Sequence, residues 1–425
     1  MNIKRIYMSV AITAAILFAY FLPAGAQQTE SPYSMYGYGL LGDRATSMQR
    51  QMGGIGYAMS GGRQINAMNP ASYAAIDSLT FLFDMGADIS FIWRKEGELR
   101  HKTTGGGLDY VTMQFPISKF MGGSIGLLPY SSVGYAFGDD ISHGARENQG
   151  SGGINEVYLG LSGKYAGFSL GFNISYDFGT IQNDLYTTPT NGGNTLFEQV
   201  MQVRDWNIVI GAQYRAAIDK YSKIGVGVTY SPKKSLHGKT WATIQELTQE
   251  SRPDTVGFSH LSGKYFTPNS VGFGVSWTRE KAARIMVEAD VTWQQWSKAP
   301  YAPLYANFDP ERVVFQGMKF NDRLRFALGG EYVPNMRGNY LQRTAYRLGA
   351  SYTRDYLKIL GNNVREYSIS GGFGFHTPQD KTIINLGIEW KHRQAYPATL
   401  ISENYLSVTL GLNFNELWFW QRKIR

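Results

Sequence analysis

Long runs of alternating apolar and polar residues constrain this chain more than any other feature. In residues 79–94, eight apolar side chains occupy every second position: Leu79, Phe81, Phe83, Met85, Ala87, Ile89, Phe91 and Trp93. The intervening positions are polar or small, broken only by Leu82 and Ile92. Because successive side chains of a strand point to opposite faces, this run has one apolar face and one charged face.

The same alternation recurs in about fourteen runs between residues 79 and 414, with nearly all mid-strand charges on the polar face. A Lys or Arg on the lipid face at mid-bilayer costs about 2–4 kcal/mol, so this segregation favours a membrane. The sequence therefore predicts an all-β fold, a transmembrane antiparallel β-barrel of about 14 strands. A soluble β-sandwich is the alternative, and its apolar faces would have to pair in one core.

The connections between the predicted strands alternate between short ones and longer ones, such as 96–105 and 139–152, as in outer-membrane barrels. The longest run, 221–247, which precedes the predicted strand 258–280, contains Ser231-Pro232 and could be two strands. An odd strand number would break the alternation, so we interpret it as one strand with a bend at the proline. An even number places both ends of the barrel wall, and hence both termini, in the periplasm.

Residues 1–26 have the features of a secretory signal peptide. Lys4 and Arg5 precede an apolar stretch over residues 10–22, and Ala24-Gly25-Ala26 forms a small-residue cleavage site. A membrane anchor is the alternative, but the apolar stretch is short for a spanning helix. We expect an integral protein of the Gram-negative cell outer membrane.

Composition and motifs argue against catalysis, cofactors and nucleic acid. The chain has no Cys, and its six His residues show no metal-binding spacing. Gly105-Gly106-Gly107 lacks the Lys and the helix of a phosphate loop. The formal net charge of +8 is spread along the chain without a basic stripe. We predict no enzyme activity, no metal and no cofactor.

Residues 27–78 lack the alternation and are rich in glycine and aromatic residues. They are too apolar for a free tail and too broken by glycine for a long helix. We predict that they form a periplasmic hatch or plug in the barrel 79–414, whose lumen would otherwise be open. The residues expected to build this hatch are Tyr33, Tyr36, Tyr38, Asn69, Pro70, Ala71 and Tyr73.

Several of these features together resemble the FadL family of outer-membrane barrels. They are Asn69-Pro70-Ala71 just before the first strand, the glycine-rich segment ahead of it, fourteen strands and the bent strand at Tyr230-Ser231-Pro232. The ending from Phe414 to Lys423 is similar to members from Bacteroidota. The resemblance implies a hatch-plugged channel for hydrophobic, fatty-acid-like molecules, which leave sideways through the wall. A second branch resembles accessory barrels of protein export machines.

Charged residues on the polar faces are expected to point into the lumen. We interpret them chiefly as an ion-pair network that braces the hatch, with a substrate path as the alternative: Asp84, Asp88, Glu288, Asp290, Arg323, Arg325, Arg347, Glu389 and Lys391. The final residues 415–425 form an amphipathic periplasmic tail with Trp418, Phe419 and Trp420 beside cations. This tail either anchors the rim in the interface or docks a partner.

Two functions follow, with membrane lipid as a partner in both. The first is an outer-membrane channel for uptake of hydrophobic small molecules. The alternative is a non-transporting auxiliary barrel of an outer-membrane protein assembly or secretion machine, with an outer-membrane or periplasmic protein partner. The tail and the polar character of loops 181–199 and 298–318 support this alternative. A simple porin ranks third, because the predicted plug argues against an open pore.

Overall fold

A computed structural model describes residues 31–247, 252–377 and 382–417. The predicted signal peptide and the tail residues Trp418, Phe419 and Trp420 lie outside the described residues. None of the described helices is long and apolar enough to cross a membrane.

Fourteen strands form a closed antiparallel barrel, which confirms the predicted fold class. Each strand pairs with the next along the chain, and the last pairs with the first, with Thr80 opposite Leu417. The strands are β1 Thr80–Glu96, β2 Leu99–Pro116, β3 Met121–Ile141, β4 Gly144–Tyr165, β5 Phe168–Pro189, β6 Thr195–Ala217, β7 Ser222–Ser231, β8 Ser270–Glu280, β9 Arg284–Gln294, β10 Arg323–Val333, β11 Ala345–Ile359, β12 Asn362–His376, β13 Thr382–Tyr396 and β14 Ser402–Leu417.

The alternation of side chains along each strand separates the outer surface from the lumen. In β5, Phe168 and Leu170 are about half exposed, whereas Asn173 and Asp177 are buried. Leu82, which interrupts the polar face of β1, is fully buried and packs against Ile65 and Ile76 inside the barrel. Leu82 therefore faces protein in the lumen, where an apolar side chain is favourable.

One end of the barrel has short turns, such as 166–167 between β4 and β5, and the other end has the longer excursions. We call these the short-turn end and the loop end. The predicted long loops 96–105 and 139–152 are wrong in detail, since β1–β2 and β3–β4 continue there as hairpins that turn at 97–98 and 142–143. Strands that protrude into water have no lipid-facing side, so they lose the alternation by which strands were recognised.

The run 221–247 is not one bent strand. It is interrupted at 232–237, although both parts pair with the same neighbour: Tyr230 lies opposite Ile210 and Gly238 opposite Val203 of β6. Gly238–Glu246 and Asp254–His260 form a hairpin at the loop end, so the predicted strand 258–280 is also divided. The count of fourteen survives because the wall contains only β7 and β8 of these pieces. Further short strands pair nearby: Lys234–Ser235 with Phe266–Thr267, and Leu304–Tyr305 with Val313–Phe315.

Residues 31–79, which we call the N-terminal segment, lie inside the barrel. They contain only short elements: helices Pro32–Met35, Ser47–Arg50 and Pro70–Ala75, and a strand Leu40–Leu41 that pairs with β3. Two further short helices, Trp296–Lys298 and Tyr340–Arg343, lie in connections. The Asn69 side chain accepts a hydrogen bond from Ala71 N–H at 3.1 Å, and Pro70 begins the helix. Asn-Pro-Ala is thus a helix start with a cap and a fixed φ angle.

Candidate functional site: the lumen and its N-terminal segment

The N-terminal segment is in direct contact with the barrel wall at mid-lumen. A Cβ atom on Gly349 of β11 would lie 2.0 Å from the carbonyl carbon of Met52, closer than any real contact. Met52 itself is fully buried. Only glycine at position 349 allows the two backbones to approach so closely.

Two carboxylates of β9 bind the backbone of the segment. The Asp290 carboxylate accepts hydrogen bonds from Gly56 N–H at 2.7 Å and Tyr57 N–H at 3.1 Å. The Glu288 carboxylate accepts from Ala58 N–H at 2.8 Å. Both side chains are buried. These bonds fix three consecutive backbone positions.

Arg325 of β10 binds the same segment from its carbonyl side. Its guanidinium donates to Gly53 O at 2.7 Å and Gly54 O at 3.2 Å. Both glycines have positive φ angles, +70° and +72°, which turn their carbonyl groups toward the arginine. The fork of Arg325 therefore recognises a turn that requires glycine.

Asp43 of the segment lies between two arginines of β10. Its carboxylate is 3.3 Å from Arg325 and 3.5 Å from Arg323. Burial alone would raise the pKa of Asp43, but the charges of Arg325 and Arg323 outweigh it and lower that pKa to about 2. Asp43 is therefore ionised at neutral pH and completes the arrangement around Arg325.

Further ion pairs join the segment to other strands. Arg347 donates to Glu331 at 2.8 Å and, from another nitrogen, to Gln51 of the segment at 2.9 Å. Two arginines of the segment donate to carboxylates of the wall. Arg50 donates to Asp109 at 2.9 Å, and Arg44 Nε donates to Glu156 at 2.9 Å. Charged groups from several sides of the barrel thus converge on the segment.

The remaining predicted lumen residues lie around the same region. Asp84 accepts a hydrogen bond from Tyr110 at 2.9 Å, and the Tyr110 hydroxyl accepts from Ser47 N–H of the segment. Asp88, Glu389 and Lys391 line a cavity of about 170 Å³ beside the segment. Of the nine predicted lumen charges, five contact the segment directly, three line this cavity, and Asp84 reaches the segment through Tyr110.

At the loop end, the segment is held by aromatic packing. Tyr38 is buried, and its ring centroid lies 5.6 Å from that of Trp296 and 5.3 Å from that of Tyr301. Its hydroxyl donates to Phe266 O at 3.2 Å, and Tyr38 N–H donates to the Tyr356 hydroxyl at 3.1 Å. We call this set the aromatic cluster; its rings are Tyr38, Tyr265, Trp296, Tyr301, Phe315, Phe320 and Tyr356.

The predicted hatch residues fall into two groups at opposite ends of the lumen. Tyr33 donates to Ile401 O in the connection to β14, burial raises its pKa to about 12, and Tyr36 is half-buried beside it. Pro70, Ala71 and Tyr73 are buried near the short-turn end, where Gln114 donates to Tyr73 O at 3.0 Å. Asn69 donates to Tyr57 O at 2.7 Å. These seven residues therefore do not form one contiguous site.

At mid-lumen, the space left around the segment is small and polar. One cavity has a volume of about 170 Å³, and its lining includes Asp43, Arg50, Asp109 and Arg393. A second, of about 80 Å³, lies between Arg44, Glu156 and Arg323. Ionised groups lining both cavities would lose hydration if an apolar molecule entered.

The hydrogen bonding between β2 and β3 stops part of the way along the two strands, which leaves a gap in the barrel wall that we call the seam. Their pairing ends at Val111 opposite Leu127, although both strands continue beyond this point toward the loop end. Leu40–Leu41 of the N-terminal segment pairs with Ser132 and Ser131 of β3 there. The larger polar cavity lies behind this seam, since Asp109 and Ser131 both line it. The seam is thus backed by the segment and by charged groups.

Sequence reasoning missed the residues that shape the contact between segment and wall. Gly349 and Gln51 carried no motif, and neither did Tyr356 of the aromatic cluster. A usable signal exists: glycines recur in strands at positions whose side chains would face the lumen, which small residues would explain by close approach of another backbone. Among the described residues, no group of three or more potential ligands is placed to hold a metal ion.

The fold is that of FadL-type outer-membrane channels. The structure superposes on a FadL homologue from Pseudomonas aeruginosa with a TM-score of 0.62 at 11% identity, covering 88% of this chain and 99% of that one. The toluene transporter TodX of Pseudomonas putida gives 0.59 at 15% identity, with 89% and 99% covered. TbuX, the toluene transporter of Ralstonia pickettii, gives 0.56 at 13%, with 88% and 98% covered. The resemblance to the FadL family is confirmed.

A family model places the chain more narrowly. The BamG model matches residues 3–425, and the chain belongs to the BamG family. No curated protein matches the sequence significantly. An origin in Bacteroidota stays a prediction.

Proposed function

We propose that this chain is a non-transporting auxiliary barrel of an outer-membrane protein assembly machine, and that it acts by contact with partner proteins. The observation that carries the proposal is the anchoring of the N-terminal segment by Arg325, Asp290 and Glu288. A hatch that moved in each transport cycle would leave these buried groups unpaired. Each such group costs about 1–3 kcal/mol, and more when it is charged.

The cavities support the same conclusion. Pockets for small molecules usually measure about 300–1,000 Å³ and are mostly apolar. The two mid-lumen cavities described above measure about 170 and 80 Å³, and charged side chains line both of them. Membership of the BamG family also favours the auxiliary role over uptake.

A channel for hydrophobic, fatty-acid-like molecules is the second candidate. Two observations favour it: the FadL-type fold and the seam between β2 and β3. In this mechanism, Leu40–Leu41 would leave β3 and a ligand would pass sideways through the seam. The short-turn end would face the periplasm in both proposals. The prediction that both termini are periplasmic stays a prediction, because residues 1–30 and 418–425 lie outside the described residues.

A disulfide across the seam separates the two candidates. Leu41 and Ser131 are cross-strand partners, and the chain has no other cysteine, so Leu41→Cys with Ser131→Cys can form one defined bridge. The gene in its native host is deleted and complemented with this variant. Heat-modifiable gel mobility measures folded outer-membrane barrels, and labelled oleate measures uptake.

If the auxiliary role is correct, deletion lowers the amount of folded barrels and the bridged variant restores it, with oleate uptake unchanged throughout. If deletion abolishes uptake, and the bridged variant restores it only after reduction, the channel is correct instead. Copurification in mild detergent with mass spectrometry gives a second readout. A stoichiometric protein partner that is lost when residues 418–425, which follow β14, are removed would support the auxiliary role.

A further inference from the structure

A cavity at the short-turn end lies between the barrel rim and the N-terminal segment. It has a volume of about 600 Å³, and Lys164 of β4 and Arg215 of β6 both line it. The other lining residues with polar groups are Ser60, Ser169, Gln213, Tyr165 and Tyr214, and none of the described lining residues is acidic. Two cations without a carboxylate give this cavity a positive potential that attracts anions.

The two cations keep donors available for a ligand. Lys164 forms no ion pair with any of the described residues, and Arg215 uses one nitrogen to donate to Ser60 O at 2.7 Å. Glu280 is the carboxylate whose charge attracts the Arg215 guanidinium. It lies 3.3 Å from Arg284 and lines an adjoining cavity. The guanidinium of Arg215 is therefore not neutralised by a partner of its own.

Aromatic side chains stand on the outer side of the same rim. Tyr165 is 83% exposed, Phe120 is 62% and Tyr214 is 53%. The turns that carry them are joined, because Lys164 N–H donates to Phe120 O and Arg215 N–H donates to Gly167 O, each at 2.8 Å. Aromatic rings at a barrel rim are typical of the depth of lipid headgroups.

Two of the rings are direct neighbours of the cations: Tyr165 follows Lys164 in β4, Tyr214 precedes Arg215 in β6, and all four residues line the cavity. Because successive side chains of a strand point to opposite faces, each ring lies on the outer side of its cation. We propose that this rim binds a phospholipid with an anionic headgroup. The phosphate of the headgroup lies between Lys164 and Arg215, while the acyl chains lie along Tyr165 and Tyr214.

The inference holds for either function proposed above, and purified full-length protein tests it. Dihexanoyl phosphatidylglycerol is titrated into the delipidated protein, and native mass spectrometry follows binding. We expect saturable binding that the double variant Lys164→Gln with Arg215→Gln weakens roughly 25-fold. Lys119→Gln, on the neighbouring turn but outside the cavity lining, is the matched control and should bind as the wild type does.

Arg215→Gln also removes a bond to the N-terminal segment, so Lys164→Gln alone is the second variant, with an expected loss of roughly 5-fold. Heat-modifiable gel mobility verifies folding of each variant. Equal binding of dihexanoyl phosphatidylcholine, or an equal loss in Lys119→Gln, would overturn the site. Inorganic phosphate that competes as strongly as the lipid would show that a free anion, not a phospholipid, is the ligand.

Discussion

The N-terminal segment is held in two halves of the lumen by different physical means. At the loop end, Tyr38 packs in the aromatic cluster with Trp296 and Tyr301. At mid-lumen, Arg325 and Asp290 bind backbone groups of the segment through directional bonds. The energy of aromatic packing is spread over many contacts, whereas each hydrogen bond made by a side chain such as Arg325 depends on that one side chain being in place. We therefore expect single substitutions at mid-lumen to have the larger effects.

Removal of the segment abolishes both kinds of contact and should have the largest effect. Deletion of residues 27–70 should convert a poorly conducting barrel into an open pore, since the fourteen-strand wall would no longer be filled. Single-channel conductance in planar bilayers measures this. If the conductance equals that of the full-length protein, the segment does not plug the lumen.

Single-cysteine labelling separates the two halves, because the chain has no native Cys. Met52→Cys reports on mid-lumen and Leu40→Cys on the loop end, since both side chains are buried. Arg325→Met leaves the carbonyls of Gly53 and Gly54 without a donor. This change should destabilise the bound position of the segment by about 3–5 kcal/mol. If labelling requires local opening of the segment, maleimide should react with Met52→Cys roughly several hundredfold faster when Arg325 is replaced than when it is present. Arg312→Met, in an exposed loop, is the control, and an unchanged rate would contradict the anchoring role.

Gly349→Val tests the close approach of the two backbones. The new side chain would overlap Met52, so the segment must shift, which should cost about 1–3 kcal/mol of stability. The rate of labelling of Met52→Cys should therefore rise by up to roughly 100-fold. Gly371 of β12 is the matched control, because its nearest contact would be 3.4 Å away. Equal effects of Gly349→Val and Gly371→Val would mean that strand distortion, not the segment, responds.

Tyr38→Leu tests the aromatic half alone. It removes the hydroxyl bond to Phe266 O and the ring contacts with Trp296, which together contribute about 1–2 kcal/mol. Labelling of Leu40→Cys should rise roughly 10-fold while that of Met52→Cys stays constant. A rise at both positions would show that the halves open as one unit.

The smallest expected effect is the pH dependence of Asp43. Its pKa is about 2 in the folded protein against an ordinary 3.8, because Arg325 and Arg323 outweigh burial. A carboxylate with a lowered pKa stabilises the fold fully above about pH 4, and this contribution is lost as the pH falls toward 2. The difference in Tm between wild type and Asp43→Asn should therefore be constant from pH 7 to 4 and shrink below that. A difference that persists at pH 2 would rule out this pair.

Much of the barrel could be predicted from the sequence, since a strand in lipid must alternate. Asp84 and Glu288 were assigned to the lumen from the polar faces of their strands alone, and both are buried there. The hairpin extensions could not be predicted, because residues such as Glu98 and His101 have water on both sides. The interruption at 232–237 was also missed, as Pro232 fits a bend and a break equally well.

The sequence by itself determined the closed wall, the lumen-facing charges and the presence of a segment inside the barrel. The reason is that lipid on one side of the wall requires apolar and polar side chains to alternate along each strand, and this alternation is visible in the sequence. Only the tertiary structure decided what those charges do. Arg325 could have met water or a ligand, and it meets the Asp43 carboxylate together with the carbonyls of Gly53 and Gly54. Parity fixes the face of a side chain but not its partner, which depends on where a non-repetitive segment, more than 200 residues away in the chain, comes to lie.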